Sequence, residues 1–498
     1  MRFVTRRRPP LASLAVILVT TATWLLAAGG PVAGVPGDRH PPAGQDVEPM
    51  LRGPVTGGRG VPTLATTSFD LATVGYTSEE YFLSGSASAY SSSSPLTPDG
   101  EWTTQPAGTA PYTTRIVVNR PLDAKKFSGT VIVEWLNTTG GSDLAPSWDG
   151  AHNEMIRDGF AWVGVSAQSV GVQALIAADA ERYGSLNHPG DTYSYDIFSQ
   201  AGQAVRQRPE PDPITGLKAK RVIAMGFSQS AYRLVTYVNA VHPLTHVYDA
   251  YLMQNRGPTG TNLSESPQTI IAAPDTTIVR SDLDVPVLTL VTETDLIGLG
   301  YYPARQRDTK RFRLWEVAGT AHADFYVAVL AADDTGDGTA EVALLDAARR
   351  PTYCDQLSNA GPQYAVAQAA VYHLDQWVRG GTPPPRAPRL AVTADPTPLI
   401  KRDRHGNALG GVRTPLVDVP TATLRGDGNS GPGFCASLFG TTVPFDDATL
   451  TSLYPSHASY VAKFDKATDE AVQRGFLLPP EAKNLKAAAA ASSIGTGN

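Results

Sequence analysis

The stretch Arg221-Val222-Ile223-Ala224-Met225-Gly226-Phe227-Ser228-Gln229-Ser230-Ala231 passes from a strand pattern to a helix pattern. Its beginning is mostly apolar, as in a buried strand, and helix-compatible spacing follows. Gly226 and Ser230 lie two residues before and two residues after Ser228, positions at which a sharp strand-to-helix turn tolerates only small side chains. A helix that begins after Ser228 directs backbone N–H groups toward a developing anion. The pattern predicts Ser228 as a nucleophile and the N–H of Gln229 as one oxyanion donor; the alternative is a turn with a surface serine.

A base and an acid are expected to follow such a serine along the chain. The apolar run Val287–Val291 leads into Thr292-Glu293-Thr294-Asp295, which places two carboxylates on one loop. The next predicted strand leads into a loop of small residues that ends at His322. We expect His322 to be the base and Asp295 the acid, with Glu293 as the alternative acid.

A second oxyanion donor is expected from the loop after an early strand. Residues 135–141, Trp-Leu-Asn-Thr-Thr-Gly-Gly, follow such a strand, and the paired glycines allow close approach of the backbone to a substrate. Asn137 or Thr138 is predicted to supply the N–H, unless the turn is purely structural. Ser166 also follows a predicted strand but precedes no helix pattern, which makes it the weaker candidate nucleophile.

Short apolar runs alternate with helix-like stretches, a pattern typical of a mostly parallel sheet with helices on both faces. Gln363–Val378 predicts a closing helix before Gly380. Residues 168–220 are too long for a simple crossover and predict a cap over the sheet, and the Pro-rich residues 384–476 predict an irregular appended lobe. The predicted strands are Thr114–Val118, Thr130–Trp135, Ala161–Ser166, Arg221–Met225, Ala250–Met253, Val287–Val291 and Arg313–Val317.

The N-terminal residues have the pattern of an export signal. Arg2 and residues 6–8 are basic, Leu11–Ala28 is apolar, and small residues follow. A membrane-spanning anchor is the alternative for the apolar stretch, but we expect a secreted protein with no stable membrane anchor after signal removal. The predicted divisions are a signal peptide (1–34), a flexible linker (35–61), a catalytic domain (62–482) and a disordered tail (483–498).

The chain contains only two cysteines, Cys354 and Cys435. An even pair in an exported chain, outside any C-x-x-C or Cys/His cluster, indicates one structural disulfide. We expect this disulfide to tie the lobe back to the catalytic domain.

Composition and charge exclude several classes of protein. Hydrophobic residues make up 42% of the 498 residues, which excludes wholesale disorder. Lys and Arg number 41 against 47 Asp and Glu, without the basic block that nucleic-acid binding needs. No metal-binding spacing such as H-E-x-x-H occurs, and Asp333–Gly338 lacks the acidic twelfth ligand of a calcium loop. We therefore expect no metal, no cofactor and no nucleic-acid partner, and surface or structural roles for most other histidines.

Further segments occur in a fixed order around these residues. Together with the turn at Ser228 and the loops at Asp295 and His322, they resemble the bacterial alpha/beta hydrolase domain proteins over about Pro62–Leu478. The segments are VEWLN (Val133–Asn137), GG (Gly140–Gly141), GVSAQ (Gly164–Gln168), ERYGSL (Glu181–Leu186), HPGD (His188–Asp191), YDIFSQ (Tyr195–Gln200), GFSQSA (Gly226–Ala231), TETD (Thr292–Asp295) and WEVAGTAH (Trp315–His322).

The resemblance implies an alpha/beta-hydrolase fold and a serine hydrolase. It implies Ser228 as the nucleophile, His322 as the base and the Thr292–Asp295 loop as the source of the acid, and it carries no substrate. We expect a secreted carboxylic ester hydrolase that forms an acyl-enzyme. The alternatives are an acyltransferase or an amidase or peptidase with the same triad, and a non-catalytic binding protein on this scaffold.

Overall fold

The computed structural model describes residues 49–346, 353–394 and 398–496. The predicted signal peptide and residues 35–48 of the predicted linker lie outside these ranges. No helix in the described part of the chain is both long and apolar enough to cross a membrane.

The main sheet contains every strand that the sequence predicts. Its strands are β1 (Met50–Arg52), β2 (Tyr76–Ser92), β3 (Thr104–Pro121), β4 (Thr130–Trp135), β5 (Ala161–Val165), β6 (Arg221–Phe227), β7 (Ala250–Gln254), β8 (Val287–Val291) and β9 (Phe312–Glu316). Over the described residues their order is β1-β2-β3-β5-β4-β6-β7-β8-β9. The pairs from β5 through β9 are parallel, and the pairs that involve β1, β2 and β3 are antiparallel.

Helices connect these strands, and the remaining elements lie in the C-terminal part. The α-helices are α1 (Pro146–Arg157), α2 (Ser169–Ala178), α3 (Ala180–Tyr183), α4 (Ser194–Gln207), α5 (Gln229–Thr236), α6 (His242–Thr245), α7 (Thr339–Leu345), α8 (Gln363–Val378), α9 (Pro415–Asp418), α10 (Cys435–Leu438), α11 (Asp447–Leu453), α12 (His457–Gln473) and α13 (Pro479–Ala491). Short 3-10 helices occur at Leu71–Val74, Ala124–Lys126, Asp191–Tyr193 and Tyr302–Ala304, and π-helical turns at Tyr237–Val241, Thr294–Gly298 and Tyr326–Leu330. A separate antiparallel pair joins β10 (Ala422–Arg425) to β11 (Thr441–Pro444).

Helices cover both faces of the parallel strands. In β4, Val131 and Val133 join the apolar cluster that includes residues of α4 and α5, whereas Ile132 joins the cluster with residues of α1 and α8. Successive side chains of a strand point to opposite faces, so a strand buried on both faces is apolar throughout. The prediction of a mostly parallel sheet with helices on both faces is confirmed.

The long antiparallel hairpin of β2 and β3 is the main element that the sequence analysis missed. Only Thr114–Val118 was predicted as a strand, whereas β3 extends over Thr104–Pro121. The first part of β3 is mostly exposed and rich in Thr, Ala and Pro, so it lacks the apolar alternation that predicts a strand. The predicted flexible linker (35–61) is wrong at β1, because Met50–Arg52 pairs with β2.

The predicted cap (168–220) is wrong for its second half. Helix α4 belongs to the sheet-covering layer, since Phe198 and Ala201 lie in one buried cluster with Trp135 of β4. The rings of Trp135 and Phe198 are 4.8 Å apart. Phe198 and Trp135 therefore fill the space between helix α4 and the sheet.

The C-terminal tail is helical where the sequence analysis predicted disorder from residue 483. Helix α13 runs through Ala491, and Leu485 and Ala489 are buried in the main apolar cluster together with Phe464 of α12. Most of the apolar face of α13 consists of alanines, so its sequence carries little helical periodicity.

A buried group of charges fixes the hairpin to the rest of the domain. Glu80 of β2 lies 3.4 Å from Arg115 of β3 and 2.6 Å from Arg182 of α3, and all three side chains are nearly inaccessible. Asp143 accepts a further bond from Arg115 at 2.5 Å. Ser166 donates to Asp143 and accepts from Arg115. The alternative nucleophile is thus a structural member of this network.

We predict that Glu80→Ala is strongly destabilising, by about 3–5 kcal/mol in the free energy of unfolding, because it leaves the buried Arg182 guanidinium without its carboxylate partner. The matched control is Glu79→Ala, because Glu79 pairs with Arg120 in a partly exposed position. That control is expected to cost at most about 1 kcal/mol. Urea titration followed by circular dichroism measures both, and equal losses would contradict the prediction.

Candidate active site

Ser228 lies on a strained turn between β6 and α5. Its backbone has φ 57° and ψ −123°, a conformation that is rare outside glycine. A Cβ on Gly226 would lie 2.9 Å from the backbone of Ser230, so the turn requires glycine there. The Ser230 hydroxyl accepts from the N–H of Phe227 and donates to its carbonyl, at 3.0 and 2.9 Å. The predicted strand-to-helix turn is present, and Ser230 adds hydrogen bonds that a glycine could not.

Ser228, His322 and Asp295 are joined by hydrogen bonds in that order. The Ser228 Oγ lies 2.9 Å from His322 Nε2, and His322 Nδ1 lies 2.6 Å from Asp295 Oδ1. Asp295 Oδ2 accepts from both the N–H and the hydroxyl of Thr292, at 2.7 and 2.8 Å. Because a carboxylate only accepts hydrogen bonds, Nδ1 carries the imidazole proton and Nε2 is free to accept from the serine hydroxyl.

Sheet topology explains how residues so distant in sequence meet. Ser228, Asp295 and His322 each follow the carboxyl end of a strand, β6, β8 and β9 respectively. These strands are parallel neighbours in the sheet together with β7, so their carboxyl ends lie at one edge. Parallel α/β sheets place their functional side chains at this edge.

Glu293, the alternative acid, has other partners. Its Oε1 accepts from the N–H of Gly319 at 2.6 Å, and its Oε2 accepts from Arg402 at 2.9 Å and from the N–H of Gly426 at 3.3 Å. Burial raises the pKa of Glu293, and the Arg402 guanidinium opposes that increase. The geometry therefore favours Asp295 as the partner of His322 and gives Glu293 a structural contact with the C-terminal lobe.

The loop that carries His322 is held by hydrogen bonds from both sides. Asn255, at φ 56° just after β7, donates its Nδ2 to the His322 carbonyl at 2.7 Å. The His322 N–H donates to Thr294 Oγ1, which donates in turn to the Gly426 carbonyl. The N–H of Ala323 donates to the Leu438 carbonyl at 3.0 Å. Asn255 was not predicted from the sequence. Its only local signal is an asparagine, a residue type that tolerates the left-handed conformation, directly after a strand.

The Asn137 loop touches the serine turn in a different way from the one predicted. The N–H of Asn137 donates to the Leu144 carbonyl at 2.9 Å, so the prediction of this N–H as an oxyanion donor is wrong. Its side chain instead joins the Phe227 carbonyl to the Thr139 N–H, both at 2.8 Å. Among the described residues, no acceptor lies within hydrogen-bonding range of the N–H of Thr138 or of Gln229. The donors that the structure leaves open are therefore Gln229 and the alternative, Thr138.

The predicted disulfide between Cys354 and Cys435 is present, with an S–S distance of 2.06 Å. The two cysteines pack in a small cluster with Phe439 and with Ala323, the residue after His322. The disulfide therefore joins a lobe helix to a segment beside the histidine loop.

Asp191, the last residue of the HPGD segment, forms an ion pair with Arg233. Asp191 accepts from the N–H of Ser169 at the start of α2, at 2.8 Å, and lies 3.0 Å from Arg233. Arg233 is almost fully buried on α5, little more than one turn after Ser228. The ion pair holds α5, which begins at the proposed oxyanion donor, against the neighbouring crossover. No local pattern indicates it, because the partners lie on separate elements.

An apolar cavity of about 540 Å³ lies away from these residues. It lies between the C-terminal lobe and neighbouring segments and is lined by side chains such as Leu344, Leu424, Phe445 and Phe464. Ser228, Asp295 and His322 do not line it. Hydrogen-bond geometry, and not cavity size, identifies the candidate site.

We predict that Arg402→Ala destabilises the protein more at pH 8 than at pH 5. Without Arg402, the buried Glu293 carboxylate loses the cation that lowers its pKa. When the pKa of a carboxyl group is higher in the folded state than in the unfolded state, its contribution to stability is fully present below the unfolded-state pKa. That contribution is lost as pH rises through the folded-state pKa. Urea midpoints at the two pH values measure the difference, with Arg404→Ala at an exposed position as the control. A loss independent of pH would contradict this origin.

Comparison with known proteins defines the family. The family model described as alpha/beta hydrolase domain matches residues 51–487. No curated protein matches the chain. A fungal esterase structure from Rhizomucor miehei is 14% identical, covering 54% of this chain and 81% of that one, with a TM-score of 0.30. A lidless serine hydrolase from Xanthomonas campestris is also 14% identical, covering 47% and 83%, with a TM-score of 0.26.

Both TM-scores are too low to support an assignment of activity. The family match, in contrast, spans most of the chain and includes the strands and loops that carry Ser228, Asp295 and His322. The chain belongs to the alpha/beta hydrolase domain family.

Proposed function

We propose that this protein is a secreted serine hydrolase that cleaves carboxylic esters through a Ser228–His322–Asp295 triad. The observation that carries the proposal is the hydrogen-bonded order of the three side chains, with 2.9 Å between Ser228 Oγ and His322 Nε2 and 2.6 Å between His322 Nδ1 and Asp295 Oδ1. A serine hydroxyl is a weak nucleophile unless an adjacent base removes its proton. The strained turn at Ser228 supports the same role.

In the acylation step, His322 Nε2 takes the proton from Ser228 as Oγ forms a bond to the ester carbonyl carbon. The carbonyl electron pair moves to oxygen, and this oxyanion accepts hydrogen bonds from the N–H groups of Gln229 and Thr138. Collapse of the tetrahedral intermediate breaks the bond to the alcohol oxygen, which receives the proton from His322. The Ser228 acyl-enzyme and a free alcohol remain.

In the deacylation step, water occupies the place of the alcohol. His322 Nε2 accepts a proton from the water while its oxygen bonds to the acyl carbon, and the proton returns to Ser228 Oγ as the carboxylic acid leaves. Asp295 stays ionised and holds the imidazole in one tautomer while it carries positive charge. Its bonds from Thr292 occupy the oxygen that does not contact His322, which limits rotation of the carboxylate.

Export is supported by two features outside the triad. The N-terminal residues have the basic and apolar regions of a signal peptide. The disulfide between Cys354 and Cys435 is of a kind that persists in oxidising compartments and is rare in the cytosol. Mass spectrometry of the N-terminus of protein recovered from culture medium tests cleavage near residue 34.

We predict that Ser228→Ala lowers kcat for p-nitrophenyl esters by roughly 10⁴- to 10⁶-fold, because it removes the nucleophile. A fluorophosphonate probe is expected to label the wild type on Ser228, as located by peptide mass spectrometry, and not to label this variant. Ser166→Ala is the control, because Ser166 lies in the buried charge network, and it should still be labelled at Ser228. Unchanged ester turnover in folded Ser228→Ala would refute the proposal.

We also predict that Asp295→Asn and Glu293→Gln behave differently. Asp295→Asn is expected to lower kcat by about 10⁴-fold with the fold retained, because an amide favours the wrong imidazole tautomer. Glu293→Gln removes the charge that pairs with Arg402, so its urea midpoint should fall while turnover by folded protein persists. If Glu293→Gln shows the larger loss of kcat, Glu293 and not Asp295 is the acid.

A further inference from the structure

A second group of side chains with metal-binding chemistry lies outside the triad. His242 and His246 are one helical turn apart, and both contact the carboxylate of Asp284. The Nε2 of His242 is 3.0 Å from Asp284 Oδ1, and the Nδ1 of His246 is 3.3 Å from Asp284 Oδ2. Each residue offers a ligand atom, and the three atoms lie within 4.8 Å of one another. Over the residues that the structure describes, it is the one such group of three.

These distances are close to those around a bound transition metal. Zinc bonds to imidazole nitrogen and carboxylate oxygen are about 2.0–2.2 Å long, so tetrahedral ligands lie a little over 3 Å apart. Each imidazole nitrogen already lies at that spacing from one oxygen of Asp284, His242 from Oδ1 and His246 from Oδ2. Two imidazoles and one carboxylate form a donor set that suits zinc rather than calcium or magnesium, which prefer oxygen ligands alone.

The buried histidine also has an outer partner that can orient it. The Tyr251 hydroxyl lies 2.9 Å from His242 Nδ1, and both side chains are almost fully buried. A metal-bound histidine usually donates its other ring N–H to such a group, which fixes the tautomer and the orientation of the ring. With the proton on Nδ1 and Tyr251 as its acceptor, Nε2 presents a lone pair toward Asp284. His246 and Asp284 are exposed, so a metal ion can reach both from solvent.

The position of the cluster separates it from the proposed catalytic site. Asp284 precedes β8 and His242 packs against Tyr251 near the start of β7, so the cluster lies at the amino ends of these strands. Ser228 and Asp295 lie at the carboxyl ends of β6 and β8. A strand of this length separates the two edges by about 16 Å.

We propose that His242, His246 and Asp284 bind one zinc ion, with water as the fourth ligand. The ion would tie the end of the helical segment after Ser228 to the connection between β7 and β8. A ligand that binds only the folded state stabilises it by mass action, so bound zinc is expected to raise the stability of the fold. No metal was expected from the sequence because no metal-binding spacing such as H-E-x-x-H was recognised; the third ligand, Asp284, lies far along the chain from the two histidines.

The test uses mature full-length protein without a histidine tag, dialysed against a chelator and titrated with ZnCl₂ by isothermal calorimetry. We expect one zinc ion per chain and a rise in the melting temperature on zinc addition. In His246→Asn, the affinity should fall at least about tenfold, the minimum loss typical even of an outer partner. Because His246 is exposed, this variant keeps the buried contacts of His242.

Asp282→Asn is the control. Asp282 lies two residues before Asp284 and pairs with Arg280, so the variant removes a nearby charge without removing a proposed ligand. It should bind zinc as the wild type does, and the visible spectrum of added Co²⁺ should show tetrahedral coordination in both. The proposal is overturned if the wild type binds no zinc, or if His246→Asn binds zinc as tightly as the wild type. Neither readout depends on ester hydrolysis.

Discussion

The backbone at Ser228 adopts φ 57° between a buried strand and a helix, and the neighbouring structure maintains that conformation. A non-glycine residue held in such a region costs on the order of 1–3 kcal/mol and persists only where its surroundings enforce it. Here the Ser228 N–H donates to the Gln254 carbonyl of β7, and Asn137 holds the Phe227 carbonyl. Strands β4 and β7 pair with β6 on its two sides. The conformation of the proposed nucleophile therefore depends on the strands at the centre of the sheet, and not on the turn alone.

The two carboxylates of the acid loop differ because of what surrounds them. Asp295 accepts hydrogen bonds from Thr292 and from His322. Glu293 accepts hydrogen bonds from the Arg402 guanidinium and from two backbone N–H groups. A buried carboxylate must be paired or hydrogen-bonded, and each of these is satisfied by a separate set. The C-terminal lobe supplies Arg402 and the carbonyl bonded to Thr294. The lobe is thus part of the support of the His322 loop as well as an appended layer.

Local sequence patterns predicted the strands and helices whose burial is evident from the composition of the segment itself. The strand Thr130–Trp135 and the helix Gln363–Val378 have the predicted bounds, because apolar residues predominate in both and both are buried over most of their length. The β2–β3 hairpin was missed because the first part of β3 is mostly exposed and lacks apolar alternation. Helix α13 was missed because alanines form its buried face. In both cases tertiary pairing supplies the stability that local composition does not indicate.

The sequence by itself determined the order of the candidate site residues along the chain. A serine with small residues two positions away on each side comes first, an acid loop follows, and a histidine loop comes last, each after an apolar strand. Those features are local, and the parallel sheet brings strand ends to one edge wherever this order occurs. Only the tertiary structure favours Asp295 over Glu293 as the partner of His322, and the N–H of Thr138 over that of Asn137 as a candidate oxyanion donor. The first choice depends on Arg402 and Gly319, which are distant in sequence and bind Glu293. The second depends on the folding of the loop itself, because the Asn137 N–H donates to the Leu144 carbonyl. A hydrogen bond between segments distant in sequence produces no periodic pattern in either segment, so it cannot be predicted from local sequence.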